Sequence, residues 1–349
     1  MNLKTTIKKG LGAAFESRFL LPMVRRSALH AINVIYYHHV GDPAPHYQAF
    51  YNGCTASKFA QDLDCLSRVF DFAPLSEVLA CERDKESRGR PKLAVTFDDG
   101  FDLGSHGVMQ IMEDYGVKAT TFVITSCIDN RRMMWRHMLS AIQTLTPESV
   151  WGPRYDELAL ACGFRPIEPD EGLLKAAGRW EMCHKDEWAA LLWRQCELPP
   201  ISEYLEKRQP YFGWTGLERW IAAGHSVGFH THTHPFCSRL QQADLESEII
   251  QPAIHLRQRL CIDELCLSYP FGDRLQPDLE HALFERGVFK ALFGIGGFSR
   301  QGVSNDKLER AEAEGAHVGW TVFAEPVFAR LRRNKHEKPF RACFCPFRT

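Results

Sequence analysis

Long apolar runs are missing from this chain. Nowhere does it approach the roughly 20 consecutive apolar residues that a membrane-crossing helix needs. Near the start, Lys4, Lys8, Lys9, Glu16, Arg18, Arg25 and Arg26 interrupt any such run, so no secretory signal is legible and the catalytic part is expected to face the cytoplasm. A surplus of one charge is missing too. With 42 Lys and Arg against 43 Asp and Glu the formal net charge is −1. There is no global basic character and no zinc-finger or RNP-type signature, so no nucleic-acid partner is expected. Paired cysteines are also missing. The twelve cysteines include no CxxC spacing, and their closest pair is Cys343 and Cys345. Scattered thiols of this kind fit a reducing compartment, where cysteine serves as a small buried hydrophobe. Internal repeats and low-complexity segments are absent as well.

What is present is a chain of 349 residues, 45% hydrophobic, with enough apolar material for one large domain or two small ones. Short β-rich runs alternate with helical ones, which predicts an α/β fold. AINVIYYHHV (Ala31 to Val40), LAVTFDD (Leu93 to Asp99), ATTFVIT (Ala119 to Thr125), SVGFH (Ser226 to His230), LCLSYPFG (Leu265 to Gly272) and Phe289 to Phe293 read as strands. Phe59 to Phe70, Gly107 to Tyr115, Leu217 to Ala223, Leu245 to Leu260 and Leu279 to Arg286 read as helices. Between Trp135 and about Tyr211 the strand signals fade and Trp, Leu, Glu and Arg dominate. This stretch, about 136–212, reads as a helical insertion in a domain spanning 31–325. Residues 326–349 form a basic tail without clean periodicity. In residues 1–30, Leu3, Ile7, Leu11, Phe15 and Phe19 recur every four residues opposite Lys4, Lys8, Lys9 and Arg18. A basic amphipathic helix of this kind either lies on an anionic membrane surface or packs its stripe on the domain.

Two clusters carry chemistry. Asp98 and Asp99 end an apolar strand, in Thr96-Phe97-Asp98-Asp99-Gly100. Burying a charge there costs several kcal/mol unless it serves as ligand or catalyst. Gly100 allows a sharp turn. A solvated turn with an Asp cap is the bland alternative. The second cluster is His230-Thr231-His232-Thr233-His234-Pro235, again just after a strand. Neutral imidazole is the commonest metal ligand. His230 and His234 with one Asp make a His/His/Asp set with open positions. His232, two residues along, should point away from that shared face. A polar loop is the alternative here.

Thr96 to Gly100 (TFDDG) and His230 to Pro235 (HTHTHP) resemble the first two motifs of the polysaccharide deacetylase family, also called carbohydrate esterase family 4 or the NodB-homology family. Tyr269-Pro270-Phe271-Gly272 resembles its YPYG-type motif, and YYHHVGD its YHRV-type opening strand. The resemblance spans about Ile32 to Phe298. It implies a distorted (β/α) barrel with the site at the C-terminal ends of the strands. It further implies Asp98 as general base and Asp99, His230 and His234 as ligands of a divalent metal. Zinc suits that set, and cobalt, manganese or nickel would bind similarly. Thr231 is expected to brace the loop, and Tyr269, Pro270 and Phe271 to wall the sugar pocket.

Three features depart from the family pattern. The arginine expected two residues before the proline is Ser268 here. The late Asp–Trp and Leu–x–His motifs have no recognisable counterpart, although His317 and Gly319-Trp320 lie in the right part of the chain. His317 is therefore the candidate general acid. Arg310 in KLERAEAEG could replace the missing arginine from a different loop, but its neighbours Glu309 and Glu312 read as a surface helix. The expected function is a metal-dependent hydrolase that removes N-acetyl groups from N-acetylhexosamine units of a surface polysaccharide or its lipid-linked precursor. The alternatives are an impaired glycan-binding relative and an amidohydrolase acting on a non-sugar amide.

Overall fold

The structure is a computed structural model that describes residues 21–41, 49–51, 53–80, 89–104, 107–168 and 171–314. The strands are β1 (Ala31–Ile32), β2 (Val34–Tyr37), β3 (Asp71–Phe72), β4 (Lys92–Phe97), β5 (Thr120–Val123), β6 (Ser226–Phe229), β7 (Cys266–Ser268), β8 (Ala291–Gly294), β9 (Ser299–Arg300), β10 (Leu308–Glu309) and β11 (Ala311–Glu312). One parallel sheet runs β10-β8-β7-β6-β5-β4-β2-β11, with β3 added beside β4. Its two edge strands are consecutive in the chain, and a single residue, Arg310, joins them. The peptide that leaves the β8 edge therefore enters the β2 edge at once, which turns the sheet into a nearly closed (β/α) barrel.

The barrel helices are α1 (Leu21–Ala28), α2 (Ala56–Ser67), α3 (Leu75–Ala80) and α4 (Val108–Asp114). Five more, α5 (Trp135–Leu145), α6 (Glu148–Cys162), α7 (Leu173–Ala177), α8 (Lys185–Gln195) and α9 (Ile201–Arg208), lie between β5 and β6. The barrel resumes with α10 (Trp214–Ala222), α11 (Gln251–Leu260) and α12 (Pro277–Glu285). Among the described residues no helix is long and apolar enough to cross a membrane, and nine cysteines are free thiols.

Strand alternation divides the core, because successive side chains point to opposite faces. Ile35, Tyr37, Val95, Phe97, Val227, Phe229, Leu267 and Leu292 pack outward beneath the helices. Val34, Ala94, Phe122, Ala291, Phe293 and Leu308 fill the interior. That interior is tight. A Cβ on Gly228 would lie 2.4 Å from Phe122, so only glycine fits there. The five inserted helices bury a separate cluster, centred on Trp135, Trp151, Tyr155, Trp180 and Trp193. The indole N–H groups find acceptors: Trp180 donates to the Tyr155 hydroxyl (3.1 Å) and Trp193 to the Pro199 carbonyl (2.7 Å).

Candidate active site

The interior face of the strands leads directly to the site. Tyr36 pairs with Thr96 and Tyr37 with Phe97, so His38 and Asp98 emerge side by side at the strand ends. Asp98 is buried. Both its oxygens accept from Arg310, at 2.8 and 2.7 Å, and Arg310 also donates to Thr96 Oγ1 (2.9 Å) and to the Ser268 hydroxyl. The guanidinium is fully buried and lies 4.9 Å from the ring centres of both Tyr36 and Phe122. This corrects the surface-helix expectation for Arg310. Glu309 and Glu312 belong to two short strands, and the residue between them faces into the barrel. Burial pushes the Asp98 carboxyl up, but the Arg310 guanidinium outweighs it and holds the group below the usual carboxylate range.

Asp99 leaves the strand with φ 69°, followed by Gly100 at 68°. A Cβ on Gly100 would come within 3.1 Å of the Val123 backbone, so the tight turn needs glycine. Thr231 (φ 65°), His234 (59°) and Phe271 (60°) are left-handed too. Such strained non-glycine positions collect where surrounding structure over-determines them, as functional sites do. The Thr231 hydroxyl accepts the His234 N–H (3.0 Å), and the Trp135 indole donates to the His234 carbonyl (2.9 Å). His232 turns away, its Nδ1 lying 2.9 Å from Thr125 Oγ1.

Asp99, His230 and His234 are all buried, and their donor atoms lie within 4.8 Å of one another. Asp99 Oδ1 faces His230 Nε2 at 3.4 Å and His234 Nε2 at 3.3 Å, yet it has no hydrogen-bond partner. His230 Nδ1 lies 2.7 Å from the Ser268 carbonyl. A carbonyl can only accept, so Nδ1 carries the proton of the neutral ring and Nε2 turns a lone pair toward the carboxylate. Two lone pairs facing each other in a buried place are unfavourable unless a cation lies between them. The donor set therefore fits a divalent ion. Burial pushes His234 down to about 3, against the opposing pull of Asp99. Burial raises the Asp99 carboxyl, but hydrogen bonding from His137 outweighs it and brings the group well below its ordinary value.

Of the three residues expected to wall the pocket, Phe271 stands beside His234, with ring centres 4.6 Å apart, and the Arg136 guanidinium lies 4.4 Å from the centre of the Phe271 ring. Pro270 is buried in the turn. Tyr269 corrects the expectation. Alternation along β7 sends Ser268 inward to Asp98, so the next side chain points outward, and Tyr269 is fully buried in the core under the helices. His317 lies outside the described residues, as do the basic stripe of residues 1–20 and the tail 326–349.

Sequence reasoning missed five residues near the carboxylates: His38, Glu314, Tyr51, His137 and Tyr211. His38 Nδ1 lies 2.9 Å from Glu314 Oε2, and its backbone N–H donates to the same carboxylate. Burial lowers the His38 pKa, but the Glu314 charge and hydrogen bond raise it, to about 9. Tyr51 packs on His38 (4.6 Å) and donates to Asp99 Oδ2 (2.8 Å). His137 Nε2 lies 3.3 Å from the same oxygen, and Tyr211 bonds to His137. The adjacent histidines of YYHHV at a strand end were a usable signal for His38. The other four carry none.

Known proteins place this architecture. The family profile described as "Polysaccharide deacetylase" matches residues 85–150 and 200–282, which hold the Asp pair, the histidine loop and the Tyr-Pro-Phe-Gly turn. Among solved structures the chain is similar to IcaB from Ammonifex degensii, at 16% identity and a TM-score of 0.53 over 85% of this chain and 97% of that one. It is similar to the Streptococcus pyogenes deacetylase PplD in complex with acetate, at 16% identity and 0.51 over 81% and 92%. A de-N-acetylase from Aggregatibacter actinomycetemcomitans gives 12% and 0.51 over 83% and 98%. A comparison with curated proteins gives no match. These structures share a (β/α) barrel of deacetylase type. The chain belongs to the polysaccharide deacetylase family, enzymes that act on carbon–nitrogen bonds.

Proposed function

We propose that the protein removes N-acetyl groups from N-acetylhexosamine units of a surface polysaccharide or its lipid-linked precursor, with a divalent ion held by Asp99, His230 and His234. The observation that carries this reading is the contrast between two adjacent carboxylates. Asp98 is saturated by Arg310, while Asp99 turns a bare oxygen to two imidazoles. A bound ion, with zinc the best match to the donor set, would supply Lewis-acid polarisation of the acetamide carbonyl and a more acidic water.

The side chains divide the proton transfers. Asp98, kept ionised by Arg310, accepts a proton from the attacking water as general base. His38, kept protonated by Glu314, stands on the neighbouring strand end and gives a proton to the departing amine. The sequence expectation gave this role to His317, which lies outside the described residues. Phe271 offers an apolar wall beside His234 for the acetyl methyl or the sugar face.

The missing arginine and the two missing late motifs motivate an impaired, glycan-binding relative. Arg310 beside Asp98 answers the first of these, and the part of the chain where the late motifs are expected lies outside the described residues. Acetate release from chitooligosaccharides, with and without a chelator, tests the reading. Chelator-sensitive release is expected, and a protein that binds the sugar without releasing acetate would refute it. A panel of non-sugar acetamides separates out an amidohydrolase of other amides. For access to a lipid-linked precursor we propose peripheral attachment at the inner membrane face through the basic stripe near the start. Co-sedimentation with anionic liposomes of the full chain, but not of one lacking residues 1–26, is the expected outcome. Equal pelleting of the two would refute it.

A further inference from the structure

His137 is a fully buried imidazole on α5, in the inserted helices, and the chemistry above does not use it. The protons around it can be assigned one by one. The Met134 backbone N–H donates to the Tyr211 hydroxyl oxygen (3.2 Å). The Tyr211 proton is then free to point at His137 Nδ1, 2.6 Å away. Nδ1 becomes the acceptor of a neutral ring, so Nε2 carries the proton. Nε2 lies 3.3 Å from the Tyr51 hydroxyl and 3.3 Å from Asp99 Oδ2. The Tyr51 proton in turn goes to Asp99 Oδ2, at 2.8 Å. Every donor in this chain points the same way, from a backbone N–H at the start of the insertion to one oxygen of Asp99. Such aligned bonds polarise and strengthen one another in a dry site.

The chain of bonds is held rigidly. Phe101, two residues beyond Asp99, lies nearly parallel to His137 (4.9 Å, 30°) and to Tyr211 (5.9 Å, 13°). Phe101 and Tyr211 also form an antiparallel bridge. The loop that carries Asp99 is thus clamped to the residue that fixes the His137 tautomer.

We propose that His137, with its tautomer set by Tyr211, is a positioning residue for the ion site. Together with Tyr51 it holds Asp99 Oδ2, so that Oδ1 is presented to His230 and His234. This rests on Asp99 as a metal ligand, and it adds that the inserted helices complete a site whose ligands all come from the barrel. A histidine that merely fills the core has no need of a donor chain that ends on a ligand carboxylate. Outer partners of metal ligands are commonly worth 10- to 100-fold in affinity.

The test measures zinc and cobalt(II) binding to the full chain, together with the cobalt(II) absorption spectrum, which reports ligand geometry apart from turnover. His137→Phe keeps the ring stack and removes the donor. It should weaken ion affinity about 10- to 100-fold and alter the cobalt spectrum, while the melting point of the metal-free protein moves little. His137→Gln, which keeps an N–H near Nε2, should recover most of the affinity. Tyr211→Phe should change affinity and spectrum in the same direction by a smaller factor. If wild type binds the ion and His137→Phe binds it equally well with an unchanged spectrum, the proposal is overturned. It is also overturned if His137→Gln loses as much as His137→Phe, because packing would then be the cause. A wild type that binds no ion would instead overturn the metal reading, and this inference with it.

Discussion

The barrel and the inserted helices meet at the same few atoms but serve them differently. The barrel supplies the groups to which the proposed chemistry is assigned. Asp98, Asp99, His230 and His38 stand within a residue or two of the ends of parallel strands, and His234 follows in the loop that leaves β6. The insertion supplies none of these. It contributes groups that hold others: His137 and Tyr211 behind Asp99, Trp135 on the His234 carbonyl, and Lys185 on Thr233. The barrel is built from long-range strand pairing, and the insertion from a Trp-rich cluster of its own. A strand end can fix a catalytic atom because its neighbours on both sides are hydrogen-bonded into the sheet. A helix packed over that end can tune orientation but does not itself set the constellation. If this division is right, barrel substitutions remove activity outright and insertion substitutions grade it.

The largest effect should come from Asp98→Asn. Amide for carboxylate keeps the shape and removes the base. The expected loss in kcat is on the order of 100-fold or more, with bound metal unchanged by elemental analysis. Loss of metal in that variant, with metal retained in Asp99→Asn, would show that the two carboxylates have exchanged roles.

Arg310→Met should come next. It leaves Asp98 buried without its cation, which costs about 3–5 kcal/mol in comparable cases. Asp98 has its carboxyl lowered in the fold, so its stabilising contribution is present above the usual carboxylate range and disappears as pH falls through the lowered value. Without Arg310, burial dominates and the acid limb of the rate profile should move toward neutral pH. Adding Asp98→Asn should recover part of the lost stability in thermal unfolding. No recovery would mean that Arg310 acts by packing on Tyr36 and Phe122, not by its charge.

Glu314→Gln probes His38, the proposed proton donor. The His38 pKa is raised to about 9, so its protonated form and the stability it lends are complete below about 6.5 and lost as pH rises through about 9. Rates should fall on that alkaline limb. Removing the Glu314 charge should bring the limb down toward the ordinary histidine value, with a loss on the order of 30-fold at about pH 8 and little change at about pH 6. A pH profile identical to wild type would take the acid role away from His38.

The same division explains what was legible in the sequence. The strands that end in Asp98 and His230 are apolar runs with chemistry at their tips, and both clusters were visible from residue type and spacing alone. Arg310 was not. Its two flanking strands are two residues each, too short to show alternation, and the glutamates beside it mimic a solvated helix. The missing arginine before Pro270 is compensated in space: Ser268 leaves room, and its hydroxyl meets the guanidinium that arrives from the barrel seam. Tyr269 was misjudged because a motif marks a backbone turn and does not say which way each side chain alternates. His137 and Tyr211 gave no signal at all. His137 is one polar residue in an amphipathic helix, Tyr211 stands alone in a bridge after the last inserted helix, and 74 positions separate them.

The smallest effect should come from the insertion's other tie, Lys185. Its ammonium is buried, and it donates to Thr233 Oγ1 at 2.6 Å and to Asp186 at 2.7 Å. Thr233 sits one residue before His234, so the contact reaches the histidine loop. Yet that loop has other restraints: Thr233 donates to Glu248 (2.8 Å), and His234 is held through Thr231 and Trp135. Lys185→Met keeps the length of the side chain and removes the charge. Asp186 is partly exposed and can turn to water. The expected cost is about 1.5–3 kcal/mol in thermal unfolding, the range for hydrogen bonds to a charged group. With His230 and His234 still in place, kcat/KM should stay within about threefold, far from the loss of a positioned base. If Lys185→Met instead reduced kcat/KM as much as Asp98→Asn, the inserted helices would set the constellation themselves, and the division between the two regions would fail.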